Sequence, residues 1–133
     1  MEHTPFNPSN NVLSEMLQSG KLGLLQDKKL KSSLFDWDRL LNHSKSTFQI
    51  YEKFIENQMM DYLLERIAIK NIDAYSPMQW DSPSKFDGDV HLIFQDRKYE
   101  NIVDNTLYHI SLLKGDYEAI EQILDDIIEK TKQ

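Results

Sequence analysis

Between Asp27 and Ile69 the chain runs without a proline or a glycine, and its apolar residues recur at alternating steps of four and three. The seam is Leu30, Leu34, Trp37, Leu41, Ser44, Phe48, Tyr51, Ile55, Gln58 and Tyr62, with Ser44 and Gln58 as polar interruptions. Residues three and four apart share one face of an α-helix, whereas a half-buried strand requires strict alternation. A helix of roughly 40 residues is about 60 Å long. Its weak point is Asn42–Thr47, where Asn, Ser and Thr side chains compete for backbone hydrogen bonds and a kink is expected. A second seam of the same step follows: Tyr99, Val103, Thr106, Ile110, Leu113, Tyr117, Ile120, Leu124 and Ile127. Two such stripes predict an all-α fold, an elongated antiparallel helical hairpin of coiled-coil type.

The remaining segments complete a single helical domain over 1–133. Residues 1–8, with Pro5 and Pro8, form an extended lead-in. Ser9 and Asn10 supply N-caps for a short helix over 9–19, with Val12, Leu13, Met16 and Leu17 on one face and Gly20 at its left-handed end. Leu22, Leu24 and Leu25 make an apolar connector expected to press into the core. Asp27 caps the long helix over 27–69. Residues 70–96 form an irregular loop at the hairpin end, because Asn71, Asp73, Ser76, Pro77, Asp81, Ser82 and Pro83 are turn chemistry. Met78, Trp80 and Phe86 in that loop suggest that it folds over the hairpin end. His91-Leu92-Ile93-Phe94 fits either a helical turn or a short extended piece. Asp96 or Gln95 caps the last long helix, 97–131, whose Lys130 and Lys132 agree with the helix dipole. Gly115 costs this helix roughly 1 kcal/mol relative to alanine, and a close helix crossing is expected there.

Composition excludes several functions. The apolar fraction of 40% and charged fraction of 28% suit helices with wide wet faces. A formal charge of −7 argues against nucleic-acid binding, which needs a surplus of Lys and Arg. No cysteine is present, which removes disulfides and thiolate metal sites. Neither a signal peptide nor a run of apolar residues long enough to span a bilayer occurs in the sequence.

The chemistry-bearing candidates are few. Asp87-Gly88-Asp89-Val90-His91 gathers three potential metal ligands, but the twelfth position from Asp87 is Lys98 rather than the Glu that closes a calcium loop. An Asp-Gly turn is the simpler reading. No Glu-x-x-His pair exists for a di-iron bundle, and His43 and His109 each stand alone on a long helix. Asp36 and Asp38 are two apart, so they do not face each other; they solvate the flanks of Trp37. Lys28, Lys29 and Lys31, with Lys21 nearby, form the one basic cluster, at a helix start where the dipole disfavours cations. Such a cluster suits anionic lipid or a phosphate, and a solvated face is the simpler reading. There is no glycine-rich phosphate loop, nucleophile elbow or HExxH. The sequence therefore recommends no catalytic residue, cofactor or metal, and no enzyme is expected.

Phe6-Asn7-Pro8-Ser9, Leu13-x-x-Met16-Leu17-x-Ser19-Gly20-Lys21-Leu22-x-Leu24-Leu25 and Asp27-x-x-Leu30-x-x-x-Leu34-x-x-Trp37 carry a resemblance. Together with Lys98-Tyr99-Glu100-Asn101 and the helix after it, they resemble a family of membrane-anchored helical proteins of unknown function from flavobacteria and other Bacteroidota. The resemblance covers most of the chain and rests on packing motifs. It implies a domain, expected in the periplasm, held at the inner membrane by an N-terminal hydrophobic anchor and a linking helix. Neither is found in this sequence, so membrane association is expected only through such an anchor.

Two functions remain. The first is a structural or interaction module, the soluble part of a cell-envelope protein, that binds a partner helix or itself. Leu40, Phe54, Met59 and Leu63 broaden the stripe of the long helix beyond what one antiparallel partner covers, and are expected to form the groove. The second is a sensory or small-ligand-binding domain that uses the aromatic loop at 78–94, with Trp80, Phe86 and Phe94 as a lid.

Overall fold

The computed structural model describes residues 5–72, 80–86 and 88–132. The turn residues 73–79, Met78 among them, and Asp87 of the candidate metal loop lie outside the described residues. Every regular element among the described residues is helical. α1 is Asn11–Gln18, α2 is Lys28–Phe54, α3 is Asp61–Arg66 and α4 is Arg97–Thr131. A π-helical segment, Ile55–Met60, links α2 to α3, and 3-10 turns lie at Lys21–Leu24, Ile69–Asn71 and Val90–Gln95. The chain forms two compact units, Met1–Ile50 with His109–Gln133, and Tyr51–Tyr108.

In the first unit α2 and α4 run antiparallel. Ser33 reaches Asp126 at 2.6 Å and His43 reaches Asp116 at 3.4 Å, so ascending one helix descends the other. Leu22, Trp37, Phe48, Leu113 and Ile120 form the buried apolar part of this unit, with Ser33 and Ser44 buried among them. Asn42–Thr47 stays helical, against the expected kink. Ser44, Ser46 and Thr47 donate their hydroxyls to the carbonyls of Leu41, Asn42 and His43, so they bond along the helix instead of competing with it.

Three local expectations are corrected here. Asn10 precedes α1 but makes no side-chain cap bond. Its Oδ1 accepts from Trp37 Nε1 at 3.3 Å, and its Nδ2 donates to Asp38 Oδ1 at 3.3 Å. A buried indole N–H needs an acceptor, and Asn10 is recruited for it. In the connector Leu22 is buried and Leu25 half-buried, but Leu24 is 81% exposed, because three residues per turn place 22 and 25 on one edge and 24 off it. No close crossing occurs at Gly115, where an added Cβ would meet nothing within 4 Å. Two other local signals hold: Gly20 takes φ 70° after α1, and Asp27 Oδ1 accepts from Lys29 N and Leu30 N at 2.8 and 3.1 Å.

The inward face of α4 is rotated from the expected seam. Leu113 and Ile120 are buried as expected, but the positions between them that turn inward are His109, Asp116 and Ile123. Ile110 and Leu124 are exposed instead. The two readings share Leu113, Ile120 and Ile127, and differ by one residue, about 100°, at the alternate positions.

In the second unit Tyr62, Ile67, Ile93 and Ile102 form a buried cluster, with Phe54, Met59, Leu63, Ile69 and Tyr99 packed against it. The wider turn of the π segment changes which residues face this core. Gln58, a polar position of the expected seam, is exposed, and Met59 beside it is half-buried. His91–Phe94 belongs to the 3-10 turn Val90–Gln95, which Asp89 caps by accepting from His91 N at 2.9 Å. Ser84 N donates to Asn71 Oδ1 at 2.7 Å and fastens the loop to the end of the Ile69–Asn71 turn.

Two substitutions check this packing. Trp37→Ala should lower stability by about 3–5 kcal/mol in urea unfolding; a loss below about 1 kcal/mol would place Trp37 outside the core. Gly115→Ala should raise stability by about 0.5–1 kcal/mol, since its backbone is helical and its surroundings are open. Destabilisation there would reveal a neighbour of Gly115.

Candidate interaction surface

The polar centre of the second unit is built around Asp96, the residue before α4. Its Oδ1 accepts from Lys98 N at 2.8 Å, the N-cap geometry expected of it. Its Oδ2 accepts the Tyr62 hydroxyl at 2.8 Å and lies 3.7 Å from Arg66 Nη1. The Tyr62 ring is stacked on Tyr99 at 5.9 Å, with the Arg66 and Lys98 cations 5.5 and 5.7 Å from its centroid. Burial, and then the bond to Asp96, push the Tyr62 hydroxyl pKa up. The Tyr62 hydroxyl, and then the Lys98 N–H, hold Asp96 below the usual carboxylate range. With its donors and acceptors engaged in this way, the cluster is a structural joint rather than a reactive centre.

In the first unit a comparable joint crosses from α2 to α4. The buried Ser33 hydroxyl donates to Asp126 Oδ2 and accepts from Lys130 Nζ at 2.8 Å, and Lys130 also meets Asp126 directly. Lys130, and then Ser33, keep the Asp126 carboxyl below its ordinary pKa. Sequence reasoning credited Lys130 only with the helix dipole and passed over Ser33. The available signal was a small polar residue four before Trp37, opposite an Asp and Lys spaced at i,i+4.

The residues expected to bind a partner are dispersed. Phe54, Met59 and Leu63 are half-buried against the core of the second unit, and Leu40 is half-buried in the first. Of the lid aromatics, Phe86 is 78% exposed and lines an open depression of about 420 Å³ with Leu64, Ile67 and Ile69. Phe94 packs edge-on to Tyr99 at 5.7 Å and lines another depression with Asp96 and Val103. Trp80 lies under the Lys70 ammonium, 5.2 Å from its ring centroid. These three side chains do not converge on one pocket.

A different apolar surface emerges on the first unit. Phe6, Tyr117, Ile120, Glu121 and Leu124 line a depression of about 580 Å³ along α4. Phe6 closes one side by packing edge-on to Tyr117, centroids 6.2 Å apart. The rotation of α4 creates this surface, since it turns Leu124 outward, 38% exposed, while Ile120 reaches the core. Glu118, Glu121 and Asp125 form an acidic stripe beside it at steps of three and four.

Among the described residues no group of three His, Asp or Glu side chains is placed to hold a metal ion, and no helix is long and apolar enough to cross a membrane. No family model matches this chain, and neither a curated protein nor a solved structure does.

The pKa directions set a pH window. Carboxylates with depressed folded values, Asp96 and Asp126, contribute stability that is full above their unfolded value of about 3.9 and lost as pH falls through the folded one. The raised Tyr62 contributes stability that is full below about pH 10 and lost as pH rises through its folded value. In Tyr62→Phe the NMR titration midpoint of the Asp96 carboxyl should rise toward the ordinary range while that of Asp126 stays put. An unmoved Asp96 midpoint would show that the phenol does not hold it.

Proposed function

We propose that this chain is a helical interaction module that receives another helix along the outward apolar strip of α4 in its first unit. The observation supporting this reading is the depression bounded by Phe6, Tyr117, Ile120 and Leu124, on a helix whose adjacent face is already buried through Leu113 and Ile120. A contiguous apolar strip beside a charged one is the surface on which amphipathic helices dock, with anchors at i, i+3 or i+4, and i+7. The separation of Trp80, Phe86 and Phe94 leaves the small-ligand reading without a comparable surface. The resemblance carried by Phe6–Leu25, Asp27–Trp37 and Lys98–Asn101 extends the proposal: the module serves as the soluble part of a cell-envelope protein whose anchor lies elsewhere.

The test is an NMR titration of the isotopically labelled chain with a synthetic amphipathic helix of leucines and lysines. Amide shifts should concentrate on residues 117–128 and on Phe6, and Leu124→Asp should weaken binding about tenfold. Shifts confined to residues 80–94 would overturn the proposal in favour of the loop.

A further inference from the structure

We infer that the natural occupant of the α4 depression is a second copy of this chain, which enters with the face of its α2 formed by Lys28, Lys31 and Phe35. This deepens the interaction-module reading and rests on it.

The two surfaces are complementary in charge and in shape of stripe. On α4, Glu118, Glu121 and Asp125 repeat at three and four beside the apolar floor of Tyr117, Ile120 and Leu124. Glu118 makes only an exposed contact with Lys114 at 3.7 Å, and among the described residues no ion pair engages Glu121 or Asp125. On α2, Lys28, Lys31 and Phe35 repeat at the same three and four. No ion pair engages Lys28 or Lys31 among the described residues. Phe35 is 49% exposed and so forms an apolar knob beside two ammonium groups. The lysines stand in the first turn of α2, where the unpaired N–H groups repel cations. Acids from outside would relieve that repulsion. This is the one basic cluster of a chain whose net charge is −7, which makes the acidic stripe of another copy a chemically matched counterpart. Seating Phe35 between Tyr117 and Leu124 would bury an aromatic anchor and bring the lysines onto Glu121 and Asp125, the arrangement of a small interface with an apolar centre and charged rim.

Charge reversal is the discriminating probe. Two copies carrying −7 each repel at long range, so salt screens this repulsion together with the local attraction. Sedimentation equilibrium of the full chain should show concentration-dependent association at micromolar levels. Phe35→Ala should weaken it about tenfold, and Lys28→Glu/Lys31→Glu or Glu121→Lys/Asp125→Lys should weaken it at least as much. The chain carrying all four reversals should recover association, which loss of folding cannot imitate; circular dichroism checks helix content in each. A monomer at high micromolar concentration, or an association indifferent to Phe35 and to both reversals, would overturn the inference. In that event, binding of the synthetic helix at residues 117–128 would leave the interaction module standing, and its absence would remove both.

Discussion

Asp96 uses both carboxylate oxygens at the start of α4. One accepts the Lys98 N–H and ends the run of unsatisfied donors that begins any helix. The other receives the Tyr62 hydroxyl and stands within reach of Arg66. Through this side chain the last turn before Ile67 and the first turn of α4 are fixed to one another, and the buried cluster of Tyr62, Ile67, Ile93 and Ile102 closes around it. A tyrosine suits this position because its ring fills an apolar core while its polar tip reaches a partner at the margin. Arg66 and Lys98, drawn to the carboxylate, also cover the ring with their charges.

The first unit solves the same problem with smaller groups. Ser33 and Ser44 occupy interior positions of α2 where larger apolar residues would be expected. Each satisfies its hydroxyl at once, Ser44 on the Leu41 carbonyl and Ser33 at the Asp126–Lys130 pair. Satisfied in this way, a buried hydroxyl avoids the desolvation penalty that would otherwise disfavour it. The Ser33 contact also fixes the rotation of α4 about its axis, since Asp126 and Lys130 must point toward α2. That rotation is what leaves Tyr117 and Leu124 facing outward.

The existence of the helices and most of their ends was legible in the sequence because seam spacing, Asp27, Gly20 and Asp96 are local signals. Trp37 was legible as a core residue for the same reason. What was not legible depends on neighbours distant in sequence. α4 carries apolar residues on two adjacent stripes, and periodicity alone cannot say whether Ile110 and Leu124 or His109 and Asp116 turn inward. The deciding contacts are made by Ser33 and His43. Asn10 was read as a cap because no local pattern shows that Trp37 lacks an acceptor. Phe54, Met59 and Leu63 were read as surplus apolar surface, since a core formed with Ile93 and Ile102 is invisible from within one helix. The depression on α4 was missed for the complementary reason, its residues having been assigned to the seam.

The π segment Ile55–Met60 sets a limit on how this chain can vary over evolution. A turn of this kind holds about one residue more than an α turn between the same two ends. Loss of any single residue there would let the backbone close into regular α-helix. Tyr62 and everything after it in the helix would then swing by about 100° relative to Tyr51 and Phe54, carrying the phenol away from Asp96. At 55–60 the number of residues is therefore under tighter constraint than their identity: side chains there can drift while insertions and deletions are barred.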